Sequence, residues 1–166
     1  MPSRASFFTY RYLHETEVFN NRDPWKPSWV DQLRAAGYHT INIGKMYTLP
    51  LDNPGGLNQR YIVENKLRLP NYERLHGVLL DEWDKFLKNS GIKKPNKKRY
   101  RSECSNYETA LGAYDWVEDE RFHPDIFTGA MAEWFLDQGK AKTPLFLQIG
   151  LPGPHPLFDP TRKWAD

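Results

Sequence analysis

Apolar residues along this 166-residue chain fall in short segments that predict alternating helices and strands. A first helix is predicted over residues 2–12, because a proline suits the first helical position and Phe7 and Phe8 are expected on one side. A second helix is predicted after Ser28, which can cap it, and before Gly37, which can end it. Its apolar face consists of Trp29, Val30, Leu33 and Ala36.

Two later helices and two strands complete the pattern. The segments Tyr38–Ile43 and Leu145–Ile149 predict strands, and the continuous apolar run of the latter is typical of a strand buried on both faces. A weaker helix is predicted from about Leu79 to Lys88, with Leu79, Leu80, Trp83, Phe86 and Leu87 facing inward. A longer helix is predicted from Pro124 to Gly139, with an apolar face of Ile126, Phe127, Ala130, Met131, Trp134 and Phe135.

The order of these elements predicts an α/β fold with a parallel sheet. Helix and strand follow one another twice, separated by a long polar excursion. Two strands are too few for a stable open sheet, so the sequence indicates a piece of something larger.

Composition narrows the classes of function. The formal net charge of +2 gives no overall field that favours nucleic acid or an acidic membrane. The single cysteine, Cys104, excludes an internal disulfide. No apolar run approaches the roughly 20 residues that a membrane span needs. We therefore expect a loop-rich globular chain, in keeping with its 13 prolines and 11 glycines.

Cationic side chains follow both predicted strands, at the edge where open α/β sheets bind ligands. The loop GKMYTLPLDNPGG supplies Lys45 and Tyr47, and the loop LPGPHPLFDP supplies His155. Arg4 lies near the start of the first helix and adds a guanidinium. These residues predict a pocket for sulfate or phosphate, in which Lys45 neutralises charge and His155 donates to a leaving oxygen. A solvated lysine and a turn histidine are the alternative interpretation.

Three segments resemble the sulfatase family, and they occur in the family's order. PSRASFFTYR is similar to the signature in which Cys, any residue and Pro-Ser-Arg precede Thr-Gly-Arg. LRAAGYHTINIGKMY resembles the segment Leu-x-x-x-Gly-Tyr-x-Thr that leads to Gly-Lys-x-His. PLFLQIGLPGPHPLFDP resembles the strand and His-Pro loop of the branch that holds choline sulfatases and phosphonate monoester hydrolases. The resemblance implies a partial α/β/α sandwich of the alkaline phosphatase/sulfatase type. It would be one partial domain over residues 1–166, with a basic excursion loop at about 89–106.

The resemblance also implies a chemistry and a residue for each role. Family members hydrolyse sulfate, phosphate or phosphonate esters with a formylglycine made from the signature cysteine, and they use a divalent cation, commonly calcium. The signature arginine corresponds to Arg4, and the strand-end lysine that contacts the oxyanion corresponds to Lys45. The loop histidine that contacts or protonates the ester corresponds to His155. Tyr47 completes the expected catalytic set, and Lys45 and His155 are the expected substrate-binding residues.

Several positions depart from the family's pattern. Met1 stands between the signature's cysteine and proline positions, so we expect that cysteine, like the metal ligands, to lie outside the chain and the chain alone to be inactive. Tyr47 replaces the motif's histidine, and a phenol with a pKa near 10 is a poor acid at neutral pH. Tyr10, Glu17 and Arg22 stand at glycine positions. They would strain any turn that needs a positive φ, unless they are tolerated surface changes.

The same sequence is compatible with other functions. A non-catalytic relative that binds an anion or a partner is the main alternative to the hydrolase. The basic run at residues 93–101 is interpreted as a solvated loop and not as a nucleic-acid site, because acidic residues nearly cancel the positive charge of the whole chain. His76 and His123 lack zinc-ligand spacing, and Cys104 has no activating base nearby in sequence. We expect a small-molecule ester as the partner, and neither nucleic acid nor a membrane. The sequence favours a cytoplasmic location, and open sheet edges would favour self-association.

Overall fold

The computed structural model describes residues 2–20, 23, 27–47, 53–64, 81–95, 102, 109–110, 112–139, 143–154 and 158–164. The helices are α1 (Pro2–Thr9), α2 (Leu13–Thr16), α3 (Trp29–Ala35), α4 (Glu82–Asn89) and α5 (Pro124–Asp137), with 3₁₀ turns at Glu120–Phe122 and Arg162–Trp164. The strands are β1 (His39–Gly44), β2 (Gln59–Ile62) and β3 (Leu145–Gly150). None of the helices in these ranges has the length and apolar character to cross a membrane. The chain divides into two compact units, Met1–Ile62 with Ala132–Gly150 and Val63–Met131 with Leu151–Asp166.

The three strands form one parallel sheet in the order β2-β1-β3. The predicted parallel α/β class is therefore confirmed, and the prediction of two strands is wrong. β2 escaped prediction because it is only four residues long and begins with two polar residues, Gln59 and Arg60, which are not typical of a core strand. Its position is fixed instead just before the strand, where the Asn58 amide nitrogen donates to the Thr40 carbonyl oxygen at 2.8 Å.

β1 is the central strand, and β3 lies at an edge of the described sheet. Ile41 and Ile43 of β1 are fully buried, whereas β3 is half-buried and Ile149 is 47% exposed. The prediction that β3 is buried on both faces is therefore wrong. A continuous apolar run does not distinguish a strand in the middle of a sheet from a strand at its edge.

The first unit has a core built from α1, α3 and the segments around them. The buried residues are Ala5, Phe8, Val18, Val30, Met46 and Leu57, with Trp29 and Phe146 packed against them. Phe8 is 4% exposed and Phe7 is 65% exposed, so the prediction that both fall on one side of α1 is wrong. Successive residues of an α-helix point about 100° apart, which separates the two rings.

The capping predicted for α3 is confirmed. The Ser28 hydroxyl accepts from the Val30 amide at 3.2 Å, and the Asp31 carboxylate accepts from the Ser28 amide at 2.9 Å. Gly37, which follows the helix, has a φ of +88°, a conformation that glycine adopts at little cost. These local signals place β1, which begins two residues later.

The second unit has its own core around α4. The buried residues are Val63, Trp83, Leu87, Trp116 and Phe122, with Phe86, Ile92 and Phe127 packed against them. Leu79 and Leu80, predicted to face inward, lie outside the described residues. Lys94 belongs to the basic run, but its ammonium contacts the Asp84 carboxylate at 2.7 Å and lies 5.1 Å from the Trp83 ring centroid. This lysine therefore helps to hold α4 in place.

The buried stripe of α5 differs from the predicted face. Thr128, Ala132 and Phe135 are buried, whereas Ile126 and Trp134 are 39% and 47% exposed. This helix carries apolar residues on most of its sides. The hydrophobic pattern alone therefore does not indicate which side is buried.

Asp81 caps α4 from a buried position. One carboxylate oxygen accepts from the Asp84 amide at 2.8 Å and the other from the Glu64 amide at 3.0 Å. Burial raises the pKa of Asp81 to about 6, and the charge of Asp84 adds to the rise. Lys94 and the two amide hydrogen bonds oppose it. The folded chain therefore holds this proton at a pH where the unfolded chain, with an ordinary pKa of 3.8, has lost it.

We expect Asp81 to make the free energy of unfolding fall as the pH rises from about 4 to about 6. In this window the folded state binds up to one more proton, which is worth up to about 1.4 kcal/mol per pH unit. Urea unfolding at pH 4, 5, 6 and 7 should show a smaller decline in Asp81→Asn than in the wild type. Asp115→Asn, at an exposed carboxylate, should keep the wild-type decline. An unchanged decline in Asp81→Asn would contradict the prediction.

Candidate anion-binding site

Lys45 lies at the carboxyl ends of β1 and β3. It follows the last residue of β1 and is only 7% exposed. Its amide donates to the carbonyl oxygen of Gly150, the last residue of β3, at 2.6 Å. Gly44 has a φ of +95°, which lets the chain turn sharply at the end of β1. A backbone hydrogen bond thus joins the ends of β1 and β3 at Lys45, the lysine that the sequence predicts as a site residue.

The backbones of Lys45 and Gly150 approach so closely that residue 150 must be glycine. A Cβ built on Gly150 would overlap the Lys45 carbonyl oxygen, and the next nearest atoms also belong to the Lys45 backbone. A backbone cannot rotate away as a flexible side chain can. Glycine at position 150 therefore allows the Lys45 backbone to lie directly against the end of β3.

Tyr47 contacts Lys45 through its ring. The Lys45 Nζ atom lies 5.4 Å from the centroid of the Tyr47 ring, within the range of a cation–π interaction. Tyr47 is half-buried and has a φ of +62°, in the left-handed region that non-glycine residues rarely adopt. The structure therefore brings together the ammonium and the phenol that replaces the family motif's histidine.

Arg4 lies in the first turn of α1 and is half-buried. Its neighbour Ala5 and the residue after Lys45, Met46, pack into the same hydrophobic cluster. The start of α1 and the end of β1 are therefore anchored by a common core. A shared site for the Arg4 and Lys45 side chains stays a prediction.

His155 lies outside the described residues, between Pro154 and Phe158. Its participation in the site stays a prediction. Its flanking residues are described, and both lie in the second unit together with the start of α5.

A polar chain across the sheet was missed by sequence reasoning. The Asn42 side chain donates to the Gln148 side chain and accepts from Arg60 Nε at 3.1 Å. Arg60 also donates to the Asn53 carbonyl oxygen at 2.6 Å. The chain thus ties the loop that follows Lys45 to all three strands. The available signal was the pair of amide side chains, Asn42 and Gln148, inside otherwise apolar strands.

A metal site is not formed by the part of the chain that the structure describes. No group of three or more His, Cys, Asp or Glu side chains there could hold a metal ion. The calcium that the family resemblance implies therefore has no ligand set among these residues.

Two of the three residues at family glycine positions adopt the conformation that favours glycine. Tyr10 has a φ of +56° and Glu17, which ends α2, has a φ of +60°. The strained-turn interpretation is therefore confirmed for both, while Arg22 lies outside the described residues. A side chain in the left-handed region costs roughly 1–2 kcal/mol.

We expect Tyr10→Gly and Glu17→Gly each to raise the free energy of unfolding by about 0.5 kcal/mol. Each change removes the left-handed cost, and the greater freedom of glycine in the unfolded chain offsets part of the gain. Chemical denaturation measures the difference. Tyr12→Gly is the control, because Tyr12 is also exposed but has a φ of −68° and should lose stability. Glycine variants that are all less stable than the wild type would refute the strain.

Comparisons with known proteins agree on one family. A family model described as Sulfatase matches residues 1–166. An arylsulfatase K from Danio rerio is 40% identical over 48 residues, which cover 27% of this chain and 9% of that protein. An arylsulfatase from Clostridium perfringens (strain 13 / Type A) is 25% identical over 143 residues, which cover 82% of this chain and 28% of that protein. The chain thus spans less than a third of either relative.

A solved structure shows the same fold. The phosphonate monoester hydrolase SpPMH from Silicibacter pomeroyi superposes with a TM-score of 0.56 at 18% sequence identity. The superposition covers 96% of this chain and 33% of that one. At this level of identity the likeness concerns the fold.

Proposed function

The chain belongs to the sulfatase family, and from this premise we propose that it is a segment of a hydrolase that acts on sulfate, phosphate or phosphonate esters. Sulfatases are generally metal-dependent. The chain would contribute the side of the site that binds the anion, and the nucleophile and the metal ligands would come from elsewhere. No residue of this sequence matches the signature cysteine.

The observation that carries the proposal is the burial of Lys45 at the ends of two parallel strands. Ligands of open α/β sheets bind beyond this edge. An ammonium held in a partly desolvated position attracts an oxyanion more strongly than a solvated lysine does. Lys45 also stands at the position of the family's strand-end lysine.

Each proposed residue has a role that follows from its side chain. Arg4 and Lys45 neutralise the charge of the tetrahedral group, the guanidinium with directed hydrogen bonds and the ammonium as a point charge. Tyr47 donates a hydrogen bond from its hydroxyl. His155 contacts the ester or protonates the leaving oxygen.

A second candidate is a non-catalytic protein that binds an anion or a partner through the same residues. The observation that favours it is Tyr47, because a phenol cannot replace imidazole as an acid near neutral pH. The two candidates differ in catalysis, because only the first is a segment of an active hydrolase.

Anion binding and catalysis are tested on the same preparation. In calorimetric titrations at constant ionic strength, we expect the chain to bind sulfate, phosphate and methylphosphonate, and not planar nitrate. With calcium and p-nitrophenyl sulfate or phosphate, we expect no release of p-nitrophenol above a blank, because a missing nucleophile and a missing metal each cost several kcal/mol of barrier lowering. Failure to bind any tetrahedral anion would refute the proposed site. Clear turnover would refute the inactivity of the chain alone.

A further inference from the structure

Met46 lies between Lys45 and Tyr47, the two residues of the candidate site whose side chains the structure brings together. It is completely buried, and it belongs to the core of the first unit with Ala5 of α1 and Val30 of α3. The family motif Gly-Lys-x-His leaves this position unspecified. The packing of Met46 is therefore a feature of this chain that the motif does not predict.

The backbone turns sharply on both sides of Met46. Gly44 has a φ of +95° and Tyr47 has a φ of +62°, so the chain leaves β1 in a short irregular segment. The hydrogen bond from the Lys45 amide to the Gly150 carbonyl oxygen holds the first residue of this segment. The Met46 side chain then anchors the next residue in the core.

The far end of the Met46 side chain lies against the chain that leads to β2. A Cβ built on Gly55 would lie 3.1 Å from Met46 Cε and 3.9 Å from its Sδ. Gly55 is itself held, because the Ser28 hydroxyl donates to its carbonyl oxygen at 3.0 Å and its amide donates to the Asn53 side chain at 2.9 Å. An unbranched thioether side chain suits such an irregular space. Met46 therefore packs against a backbone that is fixed by other contacts.

We propose that Met46 is a positioning residue of the anion site: its buried side chain holds the segment from Lys45 to Tyr47 and thereby sets the distance between the ammonium and the phenol ring. This distance is 5.4 Å from Lys45 Nζ to the centroid of the Tyr47 ring. The inference rests on the proposed function, because the distance matters to an anion only if both side chains bind it. Met46 acts through the backbone and touches no substrate, since it is completely buried.

Three substitutions of Met46 test this role. Met46→Ala removes the anchoring atoms and should weaken sulfate binding about fivefold or more, as measured by calorimetry at constant ionic strength. Met46→Leu nearly conserves the volume and should bind within about twofold of the wild type. Met46→Val leaves a smaller cavity than alanine and should give an intermediate loss, which provides a test should Met46→Ala fail to fold.

Leu57→Ala is the matched control for Met46→Ala. Leu57 is 3% exposed in the same core, and its truncation removes the same number of heavy atoms, so both alanine variants should lose stability. Circular dichroism identifies the variants that are folded under the titration conditions, and these are compared. Leu57→Ala should bind sulfate within about twofold of the wild type, because Leu57 does not adjoin Lys45 or Tyr47 in the chain.

Two results of the titrations would overturn the proposal. One is an equal loss of sulfate affinity in Met46→Ala and Leu57→Ala, which would reflect a general loosening of the core. The other is wild-type affinity in Met46→Ala or, where that variant does not fold, in Met46→Val.

A second measurement needs no sulfate and separates this inference from the proposed function. Nuclear Overhauser contacts between the Lys45 ε protons and the Tyr47 ring protons should be equally strong in the wild type, Met46→Leu and Leu57→Ala. They should be weaker in Met46→Val and lost in Met46→Ala. If the wild type binds no sulfate, the proposed function fails, and these contacts still decide whether Met46 sets the distance. Contacts as strong as in the wild type in both shorter variants of Met46 would overturn the positioning role.

Discussion

A Gly150→Ala variant is expected to lose about 2–3 kcal/mol of folding free energy and to bind sulfate more weakly. The added Cβ would overlap the Lys45 carbonyl oxygen, so the ends of β1 and β3 must separate. Their separation lengthens or breaks the hydrogen bond from the Lys45 amide to the Gly150 carbonyl. Because the same backbone carries the candidate anion-binding lysine, stability and affinity should fall together.

Gly129→Ala is the matched control for this prediction. Gly129 lies inside α5, and a Cβ there would meet no atom within 4 Å. Alanine in a helix interior is favoured over glycine by roughly 0.5–1 kcal/mol, so this variant should be slightly more stable than the wild type. Urea denaturation should give changes of opposite sign for the two variants. A Gly150→Ala variant as stable as the wild type would contradict the close approach of the two strand ends.

Lys45→Ala is expected to lower sulfate affinity by about tenfold to a hundredfold. A hydrogen bond to a charged group contributes about 1.5–3 kcal/mol, which corresponds to this range of dissociation constants. The effect should exceed that of a surface lysine, because Lys45 is only 7% exposed and its charge is less screened by water and salt. Calorimetric titration with sulfate at low ionic strength measures the loss.

Lys85→Ala changes the net charge by the same amount at a different place. Lys85 pairs with Glu82 on the exposed side of α4, where its side chain is 51% exposed. Its removal should leave sulfate affinity within about twofold of the wild type. Equal losses in both variants would mean that sulfate responds to overall charge and not to a site at Lys45.

The parts of the fold that the sequence predicts are those with local signals. Ser28 and Gly37 bracket α3, and the apolar residues of β1 mark the strand that follows. β2 has no comparable signal, because this short strand begins with two polar residues, Gln59 and Arg60, and is defined by its pairing with β1. Which side of a helix is buried also depends on distant partners, as the exposed Trp134 of α5 shows.

The candidate site also has features with a local sequence signal and features without one. The sequence predicts Lys45 and Tyr47 as site residues because they closely follow a strand, and ligands of open α/β sheets bind beyond the strand ends. The burial of Met46 depends on core residues that lie elsewhere in the sequence, so no local pattern indicates it. The strain at Tyr10 was anticipated only through the family's glycine, because the sequence alone does not show a positive φ.

The most direct test of a shared anion site is an NMR titration with sulfate that follows three side chains at once. The signals of Arg4 Nε, Lys45 Nζ and the His155 ring should all shift with one common dissociation constant. Asp115, an exposed carboxylate in the second unit, should not shift. Shifts with different dissociation constants, or a shift of Lys45 alone, would contradict the convergence of these three residues on one tetrahedral anion.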